Sequence, residues 1–132
     1  METFKDKEEI LCIILRKNDW QEGLNFLTPS DLFIQAGTWY YNKGEKLMAH
    51  VHKTHERLVN KTMETIYIKN GSLKINLFKK DKTFIKSIII SEGDTAILAD
   101  GGHGYEILED KTQVLEVKNG PFIDVEKDKE KF

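Results

Sequence analysis

Cysteine, proline and long hydrophobic runs are scarce in this sequence. Its single cysteine, Cys12, cannot form a disulfide within the chain, as is usual for proteins of the cytoplasm. The longest apolar stretches, at residues 10–15 and 88–90, are far shorter than the ~20 residues that a membrane-spanning helix needs. The first ten residues are charged and lack the apolar stretch of a signal peptide. We therefore expect a soluble, cytoplasmic protein without a membrane partner.

An excess of positive charge is also absent. The 20 Lys and Arg residues are outnumbered by 22 Asp and Glu residues, which gives a formal net charge of -2. A nucleic-acid groove or a surface for anionic lipid needs a basic excess, so no nucleic-acid partner is expected either. Glycine-rich phosphate loops and serine nucleophile elbows are missing as well. These absences remove four common classes of binding and chemistry.

Short apolar, β-branched or aromatic segments, separated by turn signals, make up most of the chain. They lie at residues 10–15, 33–41, 47–53, 65–68, 72–78, 83–91, 95–99, 103–108 and 112–118. Between two of them, Asn70-Gly71 is a strong hairpin signal because both residues tolerate a positive φ. Roughly nine or ten short strands at this spacing predict an all-β sandwich or barrel.

A chain of 132 residues, of which 39% are hydrophobic, is expected to form one domain. We expect residues 1–32 to be an N-terminal strand and loop extension, residues 33–120 the barrel and residues 121–132 a charged tail. Acids and lysines alternate near the C-terminus, which predicts a solvated segment. Cys12 lies among isoleucines, so we expect a buried, unreactive thiol.

Histidine is concentrated in one segment. His50, His52 and His55 fall within six residues, and the fourth histidine is His103. Side chains alternate between the two faces of a strand, so His50 and His52 point the same way and can converge on one metal ion. Two surface histidines on an exposed sheet face are the alternative, and this pair alone does not distinguish the two.

Glycines and a glutamate surround these histidines in the order of two known motifs. The first set is Gly44, His50, His52, Glu64 and Gly71, and the second is Gly93, Gly101 and His103. In these residues the sequence resembles the cupin superfamily, and the resemblance covers about residues 33–118. The interval between His52 and Glu64 is longer than in the first motif, and Ala99 replaces the proline of the second.

The resemblance implies an antiparallel jelly-roll barrel, also called a double-stranded β-helix, that holds one divalent metal ion. The implied metal ligands are His50, His52, Glu64 and His103. Such a donor set suits non-haem iron and also accepts Mn, Ni or Zn. Glu56 is an alternative carboxylate with the short spacing after His52 that the motif has. No glycine follows Glu56 at the right distance, so Glu64 is preferred.

The resemblance further implies a small-molecule pocket and a metalloenzyme. The expected reaction is that of a non-haem dioxygenase or an isomerase acting on a small polar metabolite or a sugar derivative. Arg57 and Tyr105 are the expected substrate-binding residues, because Arg can clamp an anionic group and Tyr105 shares its strand face with His103. A surface salt bridge for Arg57 and simple packing for Tyr105 are the alternatives.

Two other functions are consistent with the same residues. Many cupin-like barrels bind sugars or small effectors without turnover, so a non-catalytic binding module is the main alternative. A sugar-nucleotide isomerase that uses a His–Tyr acid–base pair and no metal is the third, and the presence of all four candidate metal ligands in the sequence disfavours it. A homodimer is expected in each case, because an apolar strand at residues 10–15 can pair across subunits or cover a sheet edge.

Overall fold

The computed structural model describes residues 1–132 and contains ten strands and one short helix. In chain order these are β1 (Glu2–Asp6), β2 (Glu9–Leu15), β3 (Gly23–Phe26), β4 (Gly37–Tyr40), β5 (Glu64–Asn70), β6 (Ser72–Phe78), β7 (Phe84–Ser91), β8 (Thr95–Leu98), β9 (Gly102–Ile107), β10 (Gln113–Lys118) and α1 (Val125–Asp128). Every strand pair is antiparallel. The predicted all-β, antiparallel class is confirmed.

The strands form three sheets rather than one closed barrel. One sheet has five strands in the order β1-β2-β8-β5-β10, a second has three in the order β7-β6-β9, and β3 pairs with β4 alone. The five-stranded and three-stranded sheets face each other as in a β-sandwich. On one side of the sandwich the edge strands are β10 and β9, and neither has a partner beyond it.

Alternation of side chains explains how the two sheets make a core. Ile66 and Ile68 on β5 point to the same face, as Leu73, Ile75 and Leu77 do on β6. Eleven buried residues from the two facing sheets form one cluster. They are Cys12, Ile14, Ile66, Ile68, Leu73, Ile75, Leu77, Ile88, Ile90, Ala96 and Leu98.

The N-terminal strands are part of the main sheet and not an appendage to it. Strand β2 lies between β1 and β8, and both of its faces are buried from Leu11 to Leu15. The apolar strand predicted at residues 10–15 is therefore confirmed, but it is internal to the sheet, and β1 forms the edge beside it. Cys12 on this strand is fully buried, as expected.

The hairpin predicted at Asn70-Gly71 is present between β5 and β6. Gly71 has a φ of +80°, which residues with a side chain rarely adopt, and a Cβ atom there would collide with Thr112. Gly71→Ala is therefore expected to lower the free energy of unfolding by about 2 kcal/mol through backbone strain and the collision. Urea titration of Gly71→Ala would measure the loss. Gly44→Ala is the matched control for backbone strain, since its φ is also positive but its Cβ would meet nothing.

The strand predicted at residues 47–53 is wrong for this chain. The structure has no strand between Tyr40 and Glu64, and all twenty residues from 41 to 60 are exposed. We call residues 41–60 the arm. The strand predicted at residues 33–41 is limited to Gly37–Tyr40. A strand needs a hydrogen-bonded neighbour, and within one chain the arm has none.

The C-terminal tail is exposed, as predicted, but it is not featureless. Asp124 accepts a hydrogen bond from the backbone N–H of Lys127 and so caps the single turn of α1. The ring of Phe132 packs against that of Phe78, and Lys82 pairs with Glu130. No helix in the structure is both long enough and apolar enough to span a bilayer.

Candidate functional site

One carboxylate lies on the inner face of the five-stranded sheet. Glu64 begins β5 and shares its face with Ile66 and Ile68, so the alternation of the strand points it between the two sheets. Only 4% of its surface is exposed. A buried carboxylate at the end of an apolar row requires hydrogen-bond partners to remain there.

Two of those partners come from the facing sheet. On β9, His103 pairs with Leu77 and Tyr105 pairs with Ile75, and both β6 partners point into the core. Directly opposed residues of an antiparallel pair share a face, so His103 and Tyr105 also point between the sheets. The expectation that Tyr105 shares the face of His103 agrees with this register.

The two side chains meet the same oxygen of Glu64. The Tyr105 hydroxyl donates a hydrogen bond to Glu64 Oε1 at 2.5 Å. His103 Nε2 lies 2.7 Å from the same Oε1, and the His103 and Tyr105 ring centroids are 5.3 Å apart. A single carboxylate oxygen thus orients two side chains with proton-transfer chemistry.

A lysine that the sequence analysis missed completes the cluster. Lys118 is paired with Glu64 across β10 and β5, and its Nζ lies 3.3 Å from Glu64 Oε2 and 2.9 Å from Glu116 Oε1. The alternation of β10 gives Glu116 and Lys118 the same face as Val114. That parity was readable from the sequence, but the partner strand was not. We call Glu64, His103, Tyr105 and Lys118 the cluster.

The electrostatics of the cluster fix two protonation states. Burial raises the pKa of Glu64, but hydrogen bonds from His103 and Tyr105 and the charge of Lys118 outweigh burial and lower it to about 2. Burial, together with the adjacent Glu64 carboxylate, raises the pKa of the Tyr105 hydroxyl well above its usual range. At neutral pH Glu64 is therefore a carboxylate and Tyr105 keeps its proton.

A pocket of about 340 Å³ opens beside Tyr105 between the two sheets. Its walls are mainly apolar, and the polar groups that face it belong to Tyr105 and Glu116. The lining residues are Ile66, Leu73, Tyr105, Ile107, Val114 and Glu116. Apolar walls with a few polar groups are typical of sites that bind small molecules.

A second and larger cavity, of about 660 Å³, lies on the other side of the cluster and is reached by Lys118. Its lysines already have carboxylate partners, because Lys61 pairs with Asp100 and Lys127 with Asp124. Asp100 also binds Lys80 and the backbone N–H of Gly101. Burial raises the pKa of Asp100, but Lys61, Gly101 and Lys80 outweigh burial and lower it. The larger cavity is therefore lined by neutralised charges.

The predicted metal ligands are only partly brought together. Glu64 and His103 are in contact, whereas His50 and His52 lie in the exposed arm with their rings 5.1 Å apart. No group of three or more His, Cys, Asp or Glu side chains in the structure is arranged to hold a metal ion. Within one chain, the donors at the cluster do not fit the predicted set of three histidines and a carboxylate.

The predicted substrate-binding pair is also divided. Tyr105 lines the smaller pocket, but Arg57 lies in the exposed arm. Glu56, the alternative carboxylate, is exposed in the arm as well, while Glu64 is buried beside His103. The arm thus contains every predicted site residue that the structure leaves away from the cluster.

The contact between His103 and Glu64 decides which imidazole nitrogen is free. A carboxylate accepts hydrogen bonds, so Nε2 carries the proton in this contact and Nδ1 is the nitrogen that can accept one. The His103 side chain is 26% exposed, which leaves it open to a ligand. The arrangement can therefore accept and return a proton at His103 while Tyr105 positions a polar group.

Comparison of the chain with protein-family models, curated proteins and solved structures finds no match.

Proposed function

We propose that this protein is a small cupin that binds a small polar metabolite between its two sheets and isomerises it by proton transfer. The observation that carries the proposal is the shared hydrogen bonding of His103 and Tyr105 to the buried carboxylate of Glu64 beside an apolar pocket. The antiparallel sandwich with inward-pointing histidine and glutamate supports the jelly-roll assignment implied by the motifs.

His103 is the proton acceptor in the proposed reaction. Glu64, held as a carboxylate, fixes the ring through Nε2 and stabilises the imidazolium that forms when Nδ1 takes a proton from the ligand. The same nitrogen then returns the proton at a neighbouring position of the ligand. One carbon-bound proton moves to the neighbouring carbon, and the hydroxyl proton of the ligand moves from one of the two adjacent oxygens to the other, so an isomer forms and no oxidant or second substrate is consumed.

Tyr105 positions the ligand in this scheme and does not ionise. Its hydroxyl proton is donated to Glu64, and the lone pairs of the phenol oxygen remain able to accept a hydrogen bond from a ligand hydroxyl. The raised pKa of Tyr105 keeps it protonated at neutral pH. A sugar derivative, with a hydroxyl beside a carbonyl, can form hydrogen bonds with the two polar residues, Tyr105 and Glu116, that face this pocket.

The metal-dependent dioxygenase and isomerase implied by the cupin motifs stay predictions. They require His50 and His52 beside Glu64 and His103, and a single chain keeps these two pairs of residues apart. We therefore derive no step of the reaction through a metal ion.

Exchange of a ligand proton with solvent tests the proposal. A panel of free and nucleotide-linked keto and aldo sugars is screened by thermal shift, and the compounds that bind are incubated with the protein in D₂O and followed by proton NMR. We expect a bound compound to lose one carbon-bound proton signal. His103→Gln is expected to slow this exchange by about 100-fold or more, the usual contribution of a general base.

The control is Glu106→Gln, because Glu106 follows Tyr105 directly on β9 but pairs with Lys74 on the opposite face. This variant should exchange at the rate of the unaltered protein. Tyr105→Phe should weaken binding and leave the exchange rate of the bound ligand largely intact. Binding without exchange by the unaltered protein would contradict the proposed reaction and favour the non-catalytic binding module.

A further inference from the structure

The arm presents apolar side chains to solvent to an unusual degree. Met48 and Val51 are each 89% exposed and Leu58 is 83% exposed. No hydrogen bond or ion pair joins residues 46–60 to the rest of the chain, and the one hydrogen bond among them is local, between His50 and the carbonyl of Met48. A structureless segment of this length is uncommon in a compact domain and indicates either function or a missing partner.

The arm nevertheless has the composition of a strand. Residues 47–53 alternate, with Met48, His50 and His52 on one face and Leu47, Ala49 and Val51 on the other. Nothing in this stretch is proline or glycine, so every residue has the backbone N–H that a sheet requires. Its extended, unpaired state is therefore set by the lack of a neighbouring strand and not by its residues.

The sandwich has an open side that lacks a strand. Strand β9 is the edge of the three-stranded sheet and β10 is the edge of the five-stranded sheet, and no strand pairs with either beyond that point. We call these two strands and the turn between them, residues 102–118, the open side. Its exposed apolar residues are Tyr105, Ile107, Leu108, Val114, Leu115 and Val117. Unpaired edges of this kind are sites for strand addition.

The charges of the two surfaces are complementary. With histidines neutral, the arm has four Lys or Arg residues and two Glu residues, a net charge of +2. The open side has four Asp or Glu residues and two Lys residues, a net charge of -2. Attraction between opposite charges favours contact between these surfaces over contact of either with itself.

We propose that the arm of one chain adds as a strand to the open side of a second copy, and that the second copy's arm does the same in return. Each chain offers one arm and one open side, so two copies related by a twofold axis satisfy both and the assembly closes as a dimer. The proposal is independent of whether the pocket turns over a ligand.

The exchange of arms between two copies also explains why the predicted site residues lie in two separate places within one chain. A strand added beside β9 with Met48, His50 and His52 on the inner face would extend the face that carries His103 and Tyr105. His50 and His52 would then lie at the pocket of the other copy. The site of each copy is in this sense completed by its neighbour.

Analytical ultracentrifugation of the unaltered protein and of Met48→Asp tests the arm exchange, because Met48 is 89% exposed and lies on the face of the arm that is placed against the second copy. We expect the unaltered chain to be a dimer at micromolar concentration, and the variant to associate at least tenfold more weakly because a carboxylate would be buried at the interface. The control is Ile89→Asp, since Ile89 is also an exposed apolar residue but lies on β7, away from the open side. A monomeric unaltered protein, or a dimer that Met48→Asp leaves intact, would overturn the proposal.

Crosslinking identifies which copy the arm contacts. A chain with Met48→Cys and a tagged chain with Ile107→Cys are mixed, unfolded and refolded together, and treated with a short bismaleimide. We expect a product of two different chains. A chain that carries both cysteine substitutions provides a second test. If this chain sediments as a monomer and crosslinks only within itself, the arm pairs with the open side of its own chain, and this too would overturn the proposal. A dimer without any crosslink would place the interface elsewhere.

Discussion

Glu64→Gln is expected to lower the free energy of unfolding at pH 7 by about 2–3 kcal/mol, although glutamine has nearly the shape of glutamate. The folded state holds the pKa of Glu64 at about 2, against an ordinary value of 4.5. A shift of that size corresponds to about 3 kcal/mol of stabilisation of the ionised form. Glutamine can still accept a hydrogen bond from Tyr105 or His103, but it cannot compensate the charge of Lys118.

The pH dependence follows from the direction of that shift. The pKa of Glu64 is lower in the folded than in the unfolded state, so its stabilisation is complete above about pH 4.5. It decreases as the pH falls and is lost near pH 2, where the folded protein also binds the proton. We expect the stability difference between the unaltered protein and Glu64→Gln to shrink over this range.

Urea titrations of both proteins at several pH values between 2 and 7 measure this difference directly. Glu116→Gln serves as the control, because Glu116 also binds Lys118 but has a side chain that is nearly half exposed. It should cost less than 1 kcal/mol, the usual value for an exposed ion pair. Stability curves for the unaltered protein and Glu64→Gln that stay parallel down to pH 2 would disprove the role of the Glu64 charge.

Ile90→Ala is expected to be the more destabilising change, at about 3–4 kcal/mol. Ile90 on β7 is fully buried in the hydrophobic core between the two sheets. Removal of its side-chain carbons leaves a cavity that packed β-sheets cannot close. For a domain of this size the loss is a large fraction of the total stability.

The adjacent residue provides a matched control for Ile90. Ile89 has the same side chain on the same strand but points to the outer face, where it is 57% exposed. Ile89→Ala should therefore cost less than about 1 kcal/mol. Thermal and urea unfolding of the two variants compare them directly. Similar losses at both positions would mean that the two sheets do not pack through this face of β7.

The C-terminal half of the fold could be predicted from the sequence with little error. Strands β5 to β10 lie close to the predicted segments, because each is a short apolar run bounded by a turn signal such as Asn70-Gly71. Local signals of this kind need no knowledge of the partner strand. Strand β1 was missed because residues 2–6 are mostly polar, and such a strand is fixed by its pairing with β2.

The arm shows where such reasoning fails. Residues 47–53 have strand composition, yet the structure places no strand beside them. Composition reports whether a segment suits a sheet, and the presence of a sheet edge within reach depends on the whole chain. The four predicted ligands were divided for the same reason, since two of them depended on this strand.

The contacts among the cluster residues depend partly on local strand alternation and partly on how distant strands are placed. That Tyr105 shares a face with His103 is a property of one strand and was predictable. That both reach Glu64 on the other sheet depends on how the sheets face each other, which no local pattern contains. Lys118 was missed because its role arises from its register opposite Glu64.

The burial of Cys12 gives the protein a built-in probe of local opening. Its thiol is inaccessible on an internal strand, and burial together with the nearby Glu2 charge raises its pKa to about 12. A thiol reagent at pH 8 therefore reacts only when β2 separates from β1 or β8, and the reaction rate reports the free energy of that opening. Any cysteine introduced on the surface would react far sooner, so labelling can be confined to a chosen site without replacing the native thiol.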